Sequence, residues 1–186
     1  MANTNAPYGF RLWSRLVPGT GAAMAAPGFY PTIAKSDIWG AKGPLQFPSA
    51  ASLKVGDPIK NSLGVGYIAT GTNGIYGILN SPVPAPFGET ATQKHYPDIL
   101  PADDQTIWRV QSIGTVNVTQ GLLGFSPASA KKYRIGGTTS GYTGIDLSHS
   151  TGGCLVIVGM PPDTAFGTYA ELLVMVAKGP FFGQAS

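Results

Sequence analysis

The side chains able to do chemistry are few, and the tightest group of them is Asp146-Leu-Ser-His149, with Ser148 and Ser150 on either side of the histidine. An acid, a histidine and a serine are the parts of nucleophilic acyl transfer. There the imidazole takes the serine proton on one nitrogen while the acid orients it through the other. Nearness in sequence is not a triad, and no Gly-x-Ser-x-Gly elbow is present to display a nucleophile. Gly137-Thr-Thr-Ser-Gly141 is only loop composition. With one cysteine, Cys154, and a second histidine far away at His95, a zinc centre lacks ligands. Asp98, Asp103 and Asp104 carry oxygens suited to calcium, but without the twelve-residue loop that would wrap an ion. Gly71-x-x-Gly74 is followed by neither Lys-Ser/Thr nor a helical pattern, so it is not a phosphate loop. The nine carboxylates are dispersed and single out no glycosidase pair. The expectation is a protein that is not an enzyme and that takes no cofactor and no metal.

Composition narrows what remains. A chain of 186 residues makes one domain, or one domain with an arm. Apolar residues at 43% argue against disorder. Glycine (26) and proline (16) are abundant, which points to short strands and many turns. Charged residues are only 11%, where about 25% is usual for a soluble domain. A surface with few ions packs against neighbours at little desolvation cost, so the chain reads as a subunit of an assembly. The alternative is a monomer with a neutral Ser/Thr/Asn-rich surface.

The net charge is +3. Basic residues are scattered apart from Lys131-Lys132-Tyr133-Arg134, which is too small a field for phosphate-driven binding; no nucleic-acid partner is expected. One cysteine allows no disulfide within the chain, which suits cytosolic synthesis. The opening lacks the basic-then-apolar pattern of a secretory signal. The apolar runs Cys154–Val158 and Leu172–Ala177 are too short to cross a bilayer, so no membrane partner is expected.

The opening stretch sets Tyr8, Phe10 and Trp13 among Arg11 and Arg15, residue types enriched in interface anchors. Pro7 and Gly9 interrupt a sheet ladder and no helical stripe follows. One reading is an extended arm over residues 1–28, with a reach of about 90–100 Å when fully stretched. The other is a first strand tied to the chain's own sheet. The β domain then spans residues 29–186. Its expected strands include Phe29–Ala34, Leu53–Ile59, Ile107–Thr119 bent at Gly114, Ala130–Ile135, Ile145–Leu147, Cys154–Met160 and Tyr169–Lys178, the last central and buried on both faces. Asn73-Gly74 predicts a type I′ hairpin joining Gly64–Ala69 to Ile75–Leu79. Five prolines make residues 80–104 an irregular insertion. The fold class is all-β, as an antiparallel barrel or a jelly-roll-like sandwich.

Three pieces carry a resemblance. They are the opening Met1-Ala-Asn-Thr-Asn-Ala-Pro-Tyr-Gly-Phe-Arg11, the run from Val55-Gly-Asp-Pro-Ile-Lys60 to Leu79, and the end, from Gly144–Thr151 through Leu155–Met160 to Tyr169–Phe182. In this order they resemble the capsid cement, or head decoration, proteins of tailed bacteriophages. The resemblance implies a virion protein on the capsid exterior that clamps neighbouring major capsid subunits and pairs with itself as a homodimer or homotrimer. Its interface candidates are Tyr8, Phe10, Arg11, Trp13, Arg15, Phe29, Tyr30, Trp39, Phe87 and Tyr96. The alternative is a carbohydrate- or receptor-binding virion module, with Trp13, Trp39, Trp108 and tyrosines stacking on sugar rings.

Overall fold

The computed structural model describes residues 3–6, 8–16, 23–24, 53–62, 65–80, 99–102, 106–123, 131–137 and 141–177. Phe29, Tyr30, Trp39, Phe87 and Tyr96 lie outside them, as do the expected strand Phe29–Ala34, the boundary at residue 28 and most of the Pro-rich insertion.

The described chain is almost entirely strand: β1 (Phe10–Leu16), β2 (Ala23–Met24), β3 (Pro58–Ser62), β4 (Val65–Ile68), β5 (Gly77–Leu79), β6 (Ile99–Pro101), β7 (Thr106–Ile113), β8 (Arg134–Gly137), β9 (Thr143–Asp146), β10 (Leu155–Gly159) and β11 (Glu171–Val176). One 3-10 turn, Gln120–Leu122, is the exception. The strands form two sheets. The larger runs β10-β11-β7-β1-β2, with β9 joining β7 in parallel and β8 pairing with β9. The smaller runs β4-β3-β5-β6. The protein is therefore all-β, and its described strands close no barrel.

Alternation explains the larger sheet. In β7 Trp108 and Val110 are fully buried, while Ile107 and Arg109 between them are half-buried. In β11 Leu172, Val174 and Val176 point inward. This strand was expected to be buried on both faces. It is central, between β10 and β7, but Glu171, Leu173 and Met175 on its other face are only half-buried. The inward residues pack with Ile75, Ile78 and Ala69 from the smaller sheet and its approach in one core cluster.

The opening stretch is a strand of the chain's own sheet over Phe10–Leu16, antiparallel to β7 with Phe10 opposite Val110 and Leu12 opposite Trp108. Phe10 is 2% exposed and belongs to the core, so it is not available to a partner. Of Arg15 only the strand backbone is described, opposite Thr106.

The expected Asn-Gly hairpin does not form. β4 pairs with β3, and β5 lies on the other side of β3. Neither Asn73 nor Gly74 has the positive φ a type I′ turn needs. The segment instead leaves the sheet: Gly71 exchanges backbone hydrogen bonds with Ile135 at 2.7 and 3.0 Å, and Asn73 caps Thr70 through its side chain. The end of the expected insertion is also structured. Ile99–Pro101 pairs with β5 at the sheet edge, where a proline costs no ladder bond.

The two sheets meet where the opening crosses the Gly-Asp-Pro turn. Phe10 N–H donates to Gly56 O (2.8 Å), Gly56 N–H to Leu79 O (2.8 Å) and Leu79 N–H to Asp57 O (2.9 Å). The backbones are so close that a Cβ on Gly9 would sit 2.6 Å from Gly56 O, and one on Gly56 would sit 2.8 Å from Tyr8 O. Both glycines hold positive φ, +83° and +92°. Only glycine meets both demands without strain. Two of the three pieces that carry the resemblance are thus in direct contact.

Candidate functional site

The surface most built for a task is the outward face where β1, β7 and β11 lie side by side. Outward residues on neighbouring strands stand next to one another. Arg11 is opposite Arg109, Arg109 is opposite Leu173, and Glu171 is opposite Gln111. Two like charges directly across a ladder repel, and the site answers this at Arg109. Its Nε donates to Glu171 Oε2 at 2.6 Å, its Nη2 bonds the same oxygen, and Nη2 also reaches Asp163 Oδ2 at 2.9 Å. Burial works against the Arg109 charge, but these two carboxylates outweigh it and push its pKa up.

Trp13 reaches this face through a defect in the ladder. Leu12 is opposite Trp108 and Ser14 opposite Ile107, so β1 carries one extra residue between them. A bulge of this kind re-aims a side chain. Trp13 is 41% exposed, with the Arg109 guanidinium 5.5 Å from its ring centroid. Arg11 is exposed and its guanidinium lies 3.6 Å from the centroid of Tyr8. Tyr8 itself is half-buried; its hydroxyl is buried beside the Glu171 carboxylate without closing a hydrogen bond of normal geometry. Burial, then that carboxylate, push its pKa up.

Beside this cluster opens a cavity of about 410 Å³ lined in part by Tyr8, Gln111, Asp163, Tyr169 and Glu171. Its wall is the start of the chain, held by two amides. Gln111, 5% exposed, donates to Thr4 O (2.8 Å) and Tyr169 O (3.0 Å) and accepts from Ala6 N–H (3.1 Å). Asn3 donates to Ala165 O and Thr168 O. Tyr169 has φ +56°, a strained value for a tyrosine, at the point where its carbonyl accepts from Gln111.

Of the sequence candidates, Tyr8, Arg11 and Trp13 come together here, while Phe10 faces the core. Trp108 is also a core residue, 0% exposed, and cannot stack on a sugar. Sequence reasoning missed Arg109, Gln111, Asp163 and Glu171. Arg109 and Glu171 are separated by 62 residues, and no local pattern signals their pairing.

The Asp146–His149 group is a closed turn. Ser148 N–H and Oγ–H donate to Asp146 Oδ1, while His149 Nδ1 meets both Asp146 Oδ2 (2.9 Å) and Ser148 Oγ (2.9 Å). A triad needs the acid and the serine on opposite ring nitrogens; here both share Nδ1. Burial raises the Asp146 pKa, but the bonds from Ser148 and His149 outweigh it and hold the carboxyl below its usual range. The acid with the opposite behaviour is Asp57, 1% exposed at the sheet junction. Its Oδ2 accepts Lys54 N–H (2.8 Å), while its Oδ1 has no hydrogen-bond partner of regular geometry; the Thr143 side chain lies near the carboxyl. Burial pushes its pKa up, against the Lys54 contacts. No cluster of three or more His, Cys, Asp or Glu able to hold a metal occurs among the described residues. No helix among them is long and apolar enough to cross a membrane.

No protein-family model matches the chain, and neither a curated protein nor a solved structure gives a significant match.

Proposed function

We propose that this chain is a structural, adhesive subunit that binds the outside of an assembled phage head and clamps neighbouring major capsid subunits, acting with copies of itself as a dimer or trimer. The observation that carries this reading is the outward face of β1, β7 and β11. There Trp13, Ile107, Leu173 and Met175 stay partly exposed beside an arginine already neutralised by Glu171 and Asp163. An apolar patch next to internally paired charge loses little on being covered. The low charge of the whole sequence and the resemblance of its opening agree with this. The same reading takes the two sheets as layers of a jelly-roll-like sandwich, since one core cluster draws on both. Binding only to the assembled shell stabilises that shell by linkage, multiplied over many copies.

The test is to add purified protein to phage heads that lack it. Saturable occupancy and a raised head disruption temperature support the reading; neither binding nor stabilisation overturns it. The alternative, a carbohydrate- or receptor-binding virion module, is favoured by the 410 Å³ cavity with Tyr8 and Tyr169 in its wall. A specific hit for the isolated protein on a glycan array, lost in Tyr169→Ala, would replace the first reading with this one.

A further inference from the structure

Arg11 and Arg109 face each other across β1 and β7, and of the two only Arg109 has carboxylate partners among the described residues. Arg109 is held by Glu171 and Asp163. Arg11 has no carboxylate partner among the described residues; its guanidinium rests on the Tyr8 ring. A guanidinium resting on an aromatic face keeps the donors on its rim free, and its planar fork fits a carboxylate with two parallel bonds. Tyr8 is a firm base, because its phenol is buried beside Glu171 and its carbonyl lies against Gly56. This contact biases Arg11 toward its position on the ring before any partner arrives, which offsets part of the entropy cost of binding. Two positions further, the bulge presents Trp13 on the same face.

The charge pattern identifies the partner chemistry. Two carboxylates share one arginine at Arg109, which leaves an excess of negative charge at Asp163, 61% exposed at its side chain. An excess of positive charge remains at Arg11. A polyanion such as duplex DNA meets repulsion at Asp163 as soon as it covers Arg11, whereas a protein face with an acid in one place and a base in the other matches both.

We infer that Arg11 and Trp13 are the anchoring pair of this surface, Arg11 taking an Asp or Glu carboxylate of a shell subunit through a bidentate ion pair while the Trp13 indole beds in an apolar recess beside it. The inference rests on the clamp function proposed above and gives its contact chemistry.

The experiment measures binding of full-length protein to heads that lack it, for the wild type, Arg11→Gln, Arg11→Lys, Trp13→Ala and, away from this face, Lys131→Glu. Melting temperatures are measured alongside to confirm folding. Hot-spot side chains of these types cost at least roughly 30-fold in affinity when removed. Arg11→Gln and Trp13→Ala are expected to weaken binding by that factor or more. Arg11→Lys is expected to recover part of the loss, because it restores charge without the fork, and Lys131→Glu to change nothing. Wild-type binding should also weaken as salt rises, and Arg11→Gln should flatten that dependence. Folded Arg11→Gln and Trp13→Ala variants that bind like wild type overturn the inference while leaving the clamp standing. A wild type that binds no head overturns the clamp and the inference together. Retention of wild type by duplex DNA, lost in Arg11→Gln, assigns the arginine to a polyanion and overturns the inference.

Discussion

Replacing Gly56 with alanine places a methyl group 2.8 Å from Tyr8 O and 3.0 Å from Phe10 O, in a residue held at φ +92°. Two costs follow. A non-glycine residue held at such a φ is strained by about 1–3 kcal/mol. Relieving the contact requires the backbones to part, which gives up the Phe10 N–Gly56 O bond, about 0.5–1.5 kcal/mol net. The sum is about 1.5–4.5 kcal/mol, and for a chain of this length each kcal/mol lowers Tm by about 2–4 °C. Scanning calorimetry of Gly56→Ala should therefore show a fall of roughly 3–18 °C. Gly9→Ala attacks the same junction from the other side, with its Cβ 2.6 Å from Gly56 O. The double variant should lose clearly less than the two losses added, because the second substitution enters a junction already opened. Gly137→Ala is the control: an added Cβ there meets nothing within 4 Å, and stability should move by less than about 0.5 kcal/mol. A Gly56→Ala protein within about 1 kcal/mol of wild type, or strict additivity with Gly9→Ala, would refute the claim that this crossing binds the two sheets.

Three other perturbations probe the rest of the structure. Arg109→Met should destabilise by about 1–3 kcal/mol by leaving the mostly buried Glu171 carboxylate unpaired, and adding Glu171→Gln should recover part of that loss in urea melts; equal losses in single and double variants would contradict the pairing. Asp57 binds its proton more tightly folded than unfolded, so its contribution to stability falls as pH rises from the unfolded carboxylate value, about 3.9, through the folded one. Asp57→Asn keeps an acceptor for Lys54 N–H, and its stability relative to wild type should improve from pH 3.5 to pH 7; a flat or opposite trend by urea denaturation would show that burial does not dominate there. Gln111→Ala removes three hydrogen bonds, two of them to the start of the chain at Thr4 and Ala6, and hydrogen exchange at Ala6 should accelerate at least roughly tenfold while Trp108 keeps its protection.

What the sequence made legible follows from range. The apolar runs of β10 and β11 read as strands within six residues, but Leu173 and Met175 make β11 apolar on both faces, which hid that only Leu172, Val174 and Val176 turn inward. The turn at Asn73-Gly74 had the right local chemistry for a hairpin, yet Gly71 pairs with Ile135 instead, a contact with a strand beyond any local window. The opening stretch was open to two readings because its alternation of Tyr8, Phe10 and Leu12 is compatible with a strand while Pro7 and Gly9 argue against a ladder. The structure keeps the alternation and uses Gly9 for the crossing at Gly56. At the outward face the sequence supplied Tyr8, Arg11 and Trp13 by residue type. It could not supply Arg109 and its two carboxylates, because register across β1, β7 and β11 decides which charges meet.

On the proposed reading, this chain adheres through the outward face of its larger sheet. The most direct measurement is a cryo-electron microscopy map of heads reconstituted with the purified protein. Added density on the outer surface, with Trp13 and Arg11 buried against a capsid subunit, is the expected result; heads that stay bare at saturating protein, or that bind it through the opposite side with Trp13 in solvent, would overturn the adhesive reading.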